Sequence, residues 1–291
     1  MADVCLISSV STTAPRKRGD RHDATRVDLG RGFAAMFPFL MKGRNDSIAY
    51  YPVTIEVENL LDHLEQLKGT PGQLSLFEAV MMALVKILRE RPTLNRYIIG
   101  RRLYQRRDVQ LSFIARRTFT EDSTETNVYV TVKPTDDAAT ALAKLRGEIR
   151  TAKSGEEKPD DKLLDLFLHL PRALLQVAIN LLGLWDFYVD TPSFLRGIDP
   201  LRCSAYVANL GSVGLGAAYH HLFEWGTCSI FVTIGKVQPT VVVGEDGQPT
   251  VRRTLELKIA LDERIADGYY DARALELFDT YLNDPTQLQT I

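Results

Sequence analysis

A heptad near the C-terminus, Asp262-Glu263-Arg264-Ile265-Ala266-Asp267-Gly268, holds the residues whose types and spacing most strongly suggest chemistry. It follows an apolar, strand-like run and precedes a helical pattern, so we expect a turn that opens a helix. Asp267 suits the N-cap of that helix, and Gly268 would permit the turn. A carboxylate such as that of Glu263 can act as a base if burial raises its pKa by several units. The alternative is a surface glutamate, or one paired with Arg264.

Two other polar segments could add groups to such a site. The turn sequence Ala208-Asn209-Leu210-Gly211-Ser212 follows a strand-like run, and the hydroxyl of Ser212 could donate a hydrogen bond to an oxyanion. Strand alternation and turn geometry do not fix the direction of that hydroxyl. His221 lies in the loop beyond and is a second candidate base, whereas the alternative is an ordinary solvated loop histidine.

Arginines cluster on two adjacent strand-like runs, and the members of the cluster are Arg101, Arg102, Arg106, Arg107, Arg116 and Arg117. Guanidinium groups suit the recognition of phosphate, so Arg101 and Arg116 are candidates for binding the phosphates of a nucleotide-like substrate. The alternatives are a solvated strand face and ion pairs between subunits. With a formal net charge of −2 and no interleaved aromatic residues, the chain does not indicate nucleic-acid binding.

Composition places the chain among globular proteins. Of its residues, 45% are hydrophobic and 25% are charged. Its length of 291 residues is enough for one large domain or two ordinary ones, each with a buried core. Its three cysteines form an odd set without disulfide or metal-type spacing, so we expect a reducing, cytoplasmic environment and no metal site. Cys228 lies in an apolar run and is predicted to be a buried structural thiol.

No targeting or membrane-spanning segment is predicted. The N-terminus lacks a basic start followed by a long apolar stretch. Residues 163–189 are strongly apolar, but Pro171 divides them, and charges limit the uninterrupted apolar stretch to 173–185. That stretch is shorter than the roughly 20 residues that a bilayer requires.

Helices and strands are mixed without strict alternation, which favours an α+β, mixed-sheet layered domain. Ser75 and Glu78 form a capping box at the start of an apolar helix that ends near Arg91 and Pro92. Thr135 or Asp136 can cap a later helix, and residues 151–162 form a polar linker. The predicted strands cover 47–55, 96–104, 109–116, 127–133, 204–210, 228–240 and 255–261, and the last helix covers 267–282.

Three segments in this order resemble the catalytic domain of the dihydrolipoyl acyltransferase component of 2-oxo acid dehydrogenase complexes, and the related chloramphenicol acetyltransferases. Residues 73–149 include RPTLNRYI at the place of the family's asparagine-containing turn. Residues 205–237 contain an Asn-Leu-Gly turn and a strand that ends in Ile-Gly-Lys, and 255–285 contain the heptad. The resemblance spans roughly 25–291, after an N-terminal arm of residues 1–24. It includes a helical insertion at about 155–200 and no lipoyl or peripheral-subunit-binding domain.

This resemblance implies a two-layer α/β sandwich of the chloramphenicol acetyltransferase type that forms homotrimers, with an active-site channel between subunits. It implies CoA or acyl-CoA as a substrate, no covalently bound cofactor, and protein partners within a dehydrogenase complex. The C-terminal LNDPTQLQTI is similar to the tail that joins trimers into cages, with Leu288 and Ile291 as its expected apolar anchors. The family's residues at the positions of Asp262, Arg264, Asp267 and Gly268 chiefly fix the turn.

Two positions depart from the family pattern. Glu263 stands where the family has its catalytic histidine, and Ala208 stands where it has a hydroxyl residue that stabilises the oxyanion. An ordinary glutamate removes a thiol proton about 3 kcal/mol less favourably than a histidine, which corresponds to a factor of about 100 in rate. Losing one oxyanion donor costs roughly 100- to 1000-fold. Two functions therefore remain: CoA-thioester acyl transfer with an altered centre, and a catalytically silent assembly core.

Overall fold

Strands from both halves of the chain build one six-stranded mixed sheet in the computed structural model, which describes residues 17–116, 125–154, 169–192, 199–244 and 246–291. In spatial order the strands are β2 (Ile48–Glu56), β9 (Pro249–Asp262), β8 (Ile230–Val243), β7 (Ala205–Asn209), β5 (Val109–Arg116) and β6 (Glu125–Val132). β7 runs parallel to β5 and β8, and the remaining neighbours are antiparallel. The predicted mixed sheet is confirmed.

A smaller antiparallel sheet contains β1 (Ala24–Val27), β4 (Arg102–Arg106) and β3 (Arg96–Ile99). The sequence predicted a single strand at 96–104, but Gly100 and Arg101 both adopt a φ of 58° and reverse the chain between β3 and β4. A Cβ on Gly100 would lie 2.1 Å from the carbonyl oxygen of Phe187. Only glycine fits this approach without a shift of the backbone.

Six α-helices are described in these ranges: α1 (Phe37–Leu40), α2 (Glu58–Gln66), α3 (Leu76–Glu90), α4 (Ala138–Ser154), α5 (Arg172–Tyr188) and α6 (Gly268–Asn283). Both halves of the capping box at Ser75 and Glu78 are present. α3 and α6 contribute buried side chains to the main hydrophobic core, together with the inner face of the large sheet. None of the described helices has the length and apolar content that crossing a membrane requires.

Several predicted boundaries change in the structure. Asp137 caps the start of α4 by accepting a hydrogen bond from the backbone N–H of Thr140, so the prediction of Thr135 or Asp136 was wrong. α4 continues through the first four residues of the predicted linker, and the rest of the linker lies outside the described residues. Residues 1–16 of the predicted arm, and residues 155–168 and 193–198 of the predicted insertion, also lie outside the described residues.

The C-terminal tail packs on its own chain. Leu288 is 4% exposed within the main core, and Ile291 packs against that core. Lys86 in α3 donates a hydrogen bond to the carbonyl oxygen of Thr290 at 2.7 Å. The expectation that Leu288 is an anchor for another subunit is therefore wrong for this conformation, because its side chain is already buried. Cys228 is a buried free thiol, as predicted.

Candidate functional site

A buried ion pair holds the heptad in place at the end of β9. Arg264 donates from Nε to Oδ1 of Asp262 at 2.8 Å and from Nη2 to Oδ2 at 2.7 Å. The same guanidinium donates to the carbonyl oxygen of Met41 at 2.9 Å. Because Asp262 is fully buried and Arg264 is 8% exposed, this two-pronged contact is shielded from water. The two residues have the structural role that the resemblance implies.

The next residues of the heptad begin α6. Asp267 is its N-cap, and Oδ1 of this residue accepts a hydrogen bond from the backbone N–H of Tyr270 at 2.9 Å. Gly268 does not have a positive φ, and a Cβ at that position would meet open space. The expectation that the turn depends on glycine at Gly268 is therefore wrong.

Glu263 lies between these two anchored parts and points away from the core. Its backbone N–H donates to the carbonyl oxygen of Ser47 at 2.9 Å, which ties the turn to the start of β2. Its side chain is exposed in the single chain. Among the described residues, no hydrogen bond or ion pair engages its carboxylate. The structure therefore favours the surface alternative over a pairing with Arg264, whose guanidinium is bound to Asp262.

Sequence reasoning missed Asp271, a carboxyl group in the first turn of α6. This side chain is 1% exposed, and Oδ2 accepts a hydrogen bond from the hydroxyl of Tyr51 at 3.0 Å. Burial, together with the nearby charges of Asp267 and Glu263, raises the pKa of Asp271 to about 6. The helical period could have predicted that Asp271 is buried, because it lies three positions before Ala274 on the apolar face of α6.

Asp271 lines a small apolar cavity of about 40 Å³ between the sheet and two helices. The cavity is enclosed mostly by aliphatic side chains, among them Leu84, Ile87, Leu88, Ile259 and Leu275. Oδ1 of Asp271 is buried and has no hydrogen-bond partner within the described part of the chain. A buried carboxyl oxygen without a donor is unfavourable when it is charged, which agrees with the raised pKa. In the single chain this carboxyl is almost inaccessible to solvent.

The second predicted segment forms a tight turn after β7. Oδ1 of Asn209 accepts from the backbone N–H of Ser212 at 3.2 Å, and Oγ of Ser212 donates to the carbonyl oxygen of Asn209 at 2.7 Å. A Cβ on Gly211 would lie 2.4 Å from the carbonyl oxygen of Gly235, so glycine is required there. Ala208 offers only a methyl group. The hydroxyl of Ser212 is engaged by its own turn rather than by a site.

Register separates the two halves of the predicted site along the first part of β8. Ile230 pairs with Leu261, two residues before Glu263, whereas Ile234 pairs with Asn209. Four residues of extended strand separate these positions, roughly 13 Å at 3.3 Å per residue. A single chain therefore does not bring Glu263 and the 208–212 turn together.

The other candidates lie apart from the heptad. His221 is exposed, with Nδ1 at 3.0 Å from the carbonyl oxygen of Leu222, and His220 stacks on Phe231 with ring centroids 3.9 Å apart. Neither imidazole hydrogen-bonds to the heptad among the described residues. No group of three His, Cys, Asp or Glu side chains in the described ranges is placed to hold a metal ion.

The arginine cluster does not form one anion-binding surface. Arg101 lies at the β3–β4 turn of the small sheet, whereas Arg116 ends β5 in the large sheet. Arg106 is buried and pairs with Asp23 at 2.9 Å, and Arg107 donates to the carbonyl oxygen of His22. The described arginines of this cluster therefore do not line one face, and the assignment of Arg101 and Arg116 to the phosphates of CoA stays a prediction.

Comparison with known proteins identifies the class of fold. Residues 202–290 match the sequence model of the catalytic domain of the 2-oxoacid dehydrogenases acyltransferase family. No curated protein matches the chain in sequence. The solved structures that are similar include a dihydrolipoamide acetyltransferase from Azotobacter vinelandii, at 14% identity over 90% of this chain and 93% of that one, with a TM-score of 0.57.

Two further solved structures are similar over most of their length. The cubic core of the pyruvate dehydrogenase multienzyme complex has 13% identity over 87% of each chain, with a TM-score of 0.57. A chloramphenicol acetyltransferase has 11% identity over 89% of this chain and 99% of that one, with a TM-score of 0.50. The described chain thus has the mixed-sheet fold of the chloramphenicol acetyltransferase type. The resemblance predicted from sequence is confirmed for this fold, and residues 202–290 carry it in sequence as well.

Proposed function

We propose that this protein is an assembly-forming core of the acyltransferase type that has lost the histidine-dependent transfer reaction. One observation carries the proposal: Glu263, at the position of the family's histidine, has an exposed side chain without a described partner. Deprotonating a thiol costs about 5.7 kcal/mol with an ordinary glutamate and about 2.7 kcal/mol with a histidine. Desolvation could reduce this difference, but in the single chain the side chain is not desolvated.

The position of the second half-site supports assembly as the retained property. Because Glu263 and the 208–212 turn are separated by four residues along β8, this fold is suited to sites between copies of the chain. The pyruvate dehydrogenase core, which has the same fold, is part of a multienzyme complex. We therefore propose a homotrimer that can join a larger cage and that binds a protein partner of the dehydrogenase-complex type.

A second candidate is acyl transfer from CoA thioesters with Glu263 as the base. The ion pair of Asp262 and Arg264 and the cap at Asp267 hold Glu263 in a defined turn, which supports a retained site. The Azotobacter enzyme is described with a serine, a histidine and an asparagine in its catalytic mechanism, the last two being four positions apart. Glu263 and Asp267 have the same spacing. In this alternative a second copy would cover Glu263 and raise its basicity.

The deciding experiment measures acetyl transfer from acetyl-CoA to dihydrolipoamide by the purified native chain and by two variants, Glu263→Gln and Glu263→His. We expect no turnover above the uncatalysed rate with the native chain or with the Gln variant. Turnover that appears only in the His variant would show that the channel is retained and that the base has been lost. Light scattering on the same samples should give a trimer or a multiple of it.

An exposed glutamate far from the heptad provides the matched control. Glu65 forms a surface pair with Lys68, so Glu65→Gln changes the same charge without touching the site. Native turnover that Glu263→Gln abolishes and Glu65→Gln retains would overturn the proposal in favour of the second candidate. Native turnover that persists in Glu263→Gln would also overturn it, and His221→Ala would then test the loop histidine.

A further inference from the structure

A second and larger pocket opens beside the heptad, between α5 and the segment that precedes β2. Its volume is about 260 Å³. Gly183 and Phe187 of α5 form one wall, and Trp225 closes the floor next to Gly226. Pro38 and the β3–β4 turn complete it. Because α5 belongs to the segment that the sequence predicts as an insertion, the pocket depends on a part of the chain that the family pattern does not supply.

Positive charge predominates in this pocket. Its lining includes four cations and two carboxylates, and these are Lys42, Arg44, Arg101, Arg264, Asp186 and Glu224. Both carboxylates are already engaged. Asp186 pairs with Arg21 at 2.7 Å and with Arg202 at 2.6 Å. Glu224 accepts from the backbone N–H groups of Arg44 at 3.0 Å and Asn45 at 2.9 Å.

Arg44 carries a buried guanidinium group that forms no ion pair with a carboxylate among the described residues. It is 5% exposed, and its Nη1 and Nη2 groups donate to four carbonyl oxygens, those of Phe223, Glu224, Ile98 and Gly226. Burial lowers the pKa of Arg44, and the nearby carboxylates of Asp262 and Glu224 oppose this shift without cancelling it. Arginine stays protonated at neutral pH even so. An anion in the adjoining pocket would supply the missing charge.

Two further cations remain available at the entrance. Arg264 forms an ion pair with Asp262. Lys42 and Arg101, in contrast, are exposed and make no ion pair in the described part of the chain. The guanidinium of Arg101 lies 5.7 Å from the ring centroid of Phe39 and 5.9 Å from that of Phe187. It is thus held at the edge of the pocket by aromatic contacts that leave its N–H groups free to bind a ligand.

We propose that this pocket binds a small organic phosphate ester. The phosphoryl group lies between Lys42 and Arg101, where two exposed cations match a dianion and the buried Arg44 adds a further positive charge. The organic part packs on Phe187 and Trp225. This site does not depend on acyl transfer, because none of these contacts involves the side chain of Glu263.

Tryptophan fluorescence gives a direct test, because the chain has two tryptophans and Trp225 lines the pocket. In a Trp185→Phe background, titration with phenyl phosphate should change the fluorescence of Trp225 saturably. Inorganic phosphate should bind at least tenfold more weakly, because it lacks the apolar part, and phenol should not bind measurably. CoA serves as a separate arm. Tighter binding of CoA than of phenyl phosphate would assign the pocket to a phosphate of CoA, and the reverse order would assign it to a free ester.

Two exposed substitutions remove the anion contacts without disturbing the core. Lys42→Gln and Arg101→Asn should each weaken phenyl phosphate binding at least tenfold, and asparagine tolerates the left-handed backbone at position 101. Arg252→Gln, an exposed change on β9, is the matched control and should leave the affinity unchanged. The absence of saturable binding in the millimolar range would overturn the proposal. An equal loss in the control variant would also overturn it, because it would indicate nonspecific attraction.

Discussion

Helices α3 and α5 are both rich in apolar residues and similar in length, yet the structure uses them in opposite ways. In α3, ten of 15 residues are buried, so this helix is covered on almost every side. In α5, the only buried residue among 17 is an aspartate, Asp186. A stripe of large side chains points outward instead, and its members are Leu174, Val177, Leu181, Leu184 and Tyr188. An apolar run therefore predicts a helix without predicting what covers it.

The two helices also differ in the buried carboxyl group that lies beside each of them. Asp271 faces the cavity beside α3 and contacts no cation among the described residues, and burial raises its pKa to about 6. At Asp186, burial also acts to raise the pKa, but ion pairs with Arg202 and Arg21 outweigh it and hold the pKa below the ordinary value. The α3 region is thus held by apolar contacts, and α5 is anchored by charge.

Removing the charged anchor of α5 should have the largest effect. Asp186→Ala leaves Arg21 and Arg202 without their shared carboxylate in a buried setting, so we expect a loss of about 3–5 kcal/mol in the free energy of unfolding. Because the folded pKa is lowered, the native contribution of Asp186 is present above about pH 4 and is lost as the pH falls below the ordinary aspartate pKa. Urea unfolding at neutral and acidic pH measures both effects.

A surface change on the same helix is the control for this prediction. Gln176 hydrogen-bonds to Asn180 on the exposed side of α5, so Gln176→Ala should change the stability by less than about 0.5 kcal/mol. If Asp186→Ala also changes the stability that little, the charged anchor does not hold α5, and the contrast with α3 fails.

The second prediction compares matched apolar truncations in the two helices. Met81 of α3 is 1% exposed, so Met81→Ala should destabilise the protein by about 2–5 kcal/mol through lost burial and the cavity left behind. Leu181 of α5 is 60% exposed, and Leu181→Ala should cost less than about 0.5 kcal/mol. Urea unfolding at a protein concentration too low for association measures both. Equal losses would mean that the outer stripe of α5 is covered in solution.

The sequence predicted most features that local chemistry decides, although it misplaced the cap of α4 and overstated the need for glycine at position 268. The capping box at Ser75 and Glu78 depends on side chains three residues apart, and the periods of strands and helices give the elements of the mixed sheet. The structural roles of Asp262, Arg264 and Asp267 also follow from neighbouring residues and from the resemblance. These contacts form within one turn, so the sequence contains them directly.

Predictions failed where distant segments determine the outcome. The arginine cluster is contiguous in sequence, but Arg101 and Arg116 belong to different sheets, which only the strand pairing reveals. The separation between Glu263 and Ala208 depends on the register of β7, β8 and β9. The role of Asp186 depends on Arg21, which is 165 positions away. No local pattern signals these contacts, because they exist only after the chain has folded.

The smallest expected effect is a pH dependence on the α3 side of the comparison. Asp271 has a folded pKa of about 6, above the ordinary value, so its contribution to stability is fully present below about pH 4 and is lost as the pH rises through 6. Asp271→Asn should remove this slope, which cannot exceed about 1.4 kcal/mol per pH unit for one proton.

Asp62→Asn is the control for Asp271→Asn, because Asp62 is an exposed carboxylate that pairs with Arg253 at the surface. The difference between the native chain and each variant, measured by urea unfolding from pH 4 to pH 7, isolates the single carboxyl from the background of all the others. A native stability that runs parallel to that of Asp271→Asn across this range would mean that Asp271 is not desolvated. The pKa values of Asp271 and Asp186 would then no longer be shifted in opposite directions. The regions around α3 and α5 would no longer differ in how they treat a buried carboxyl group.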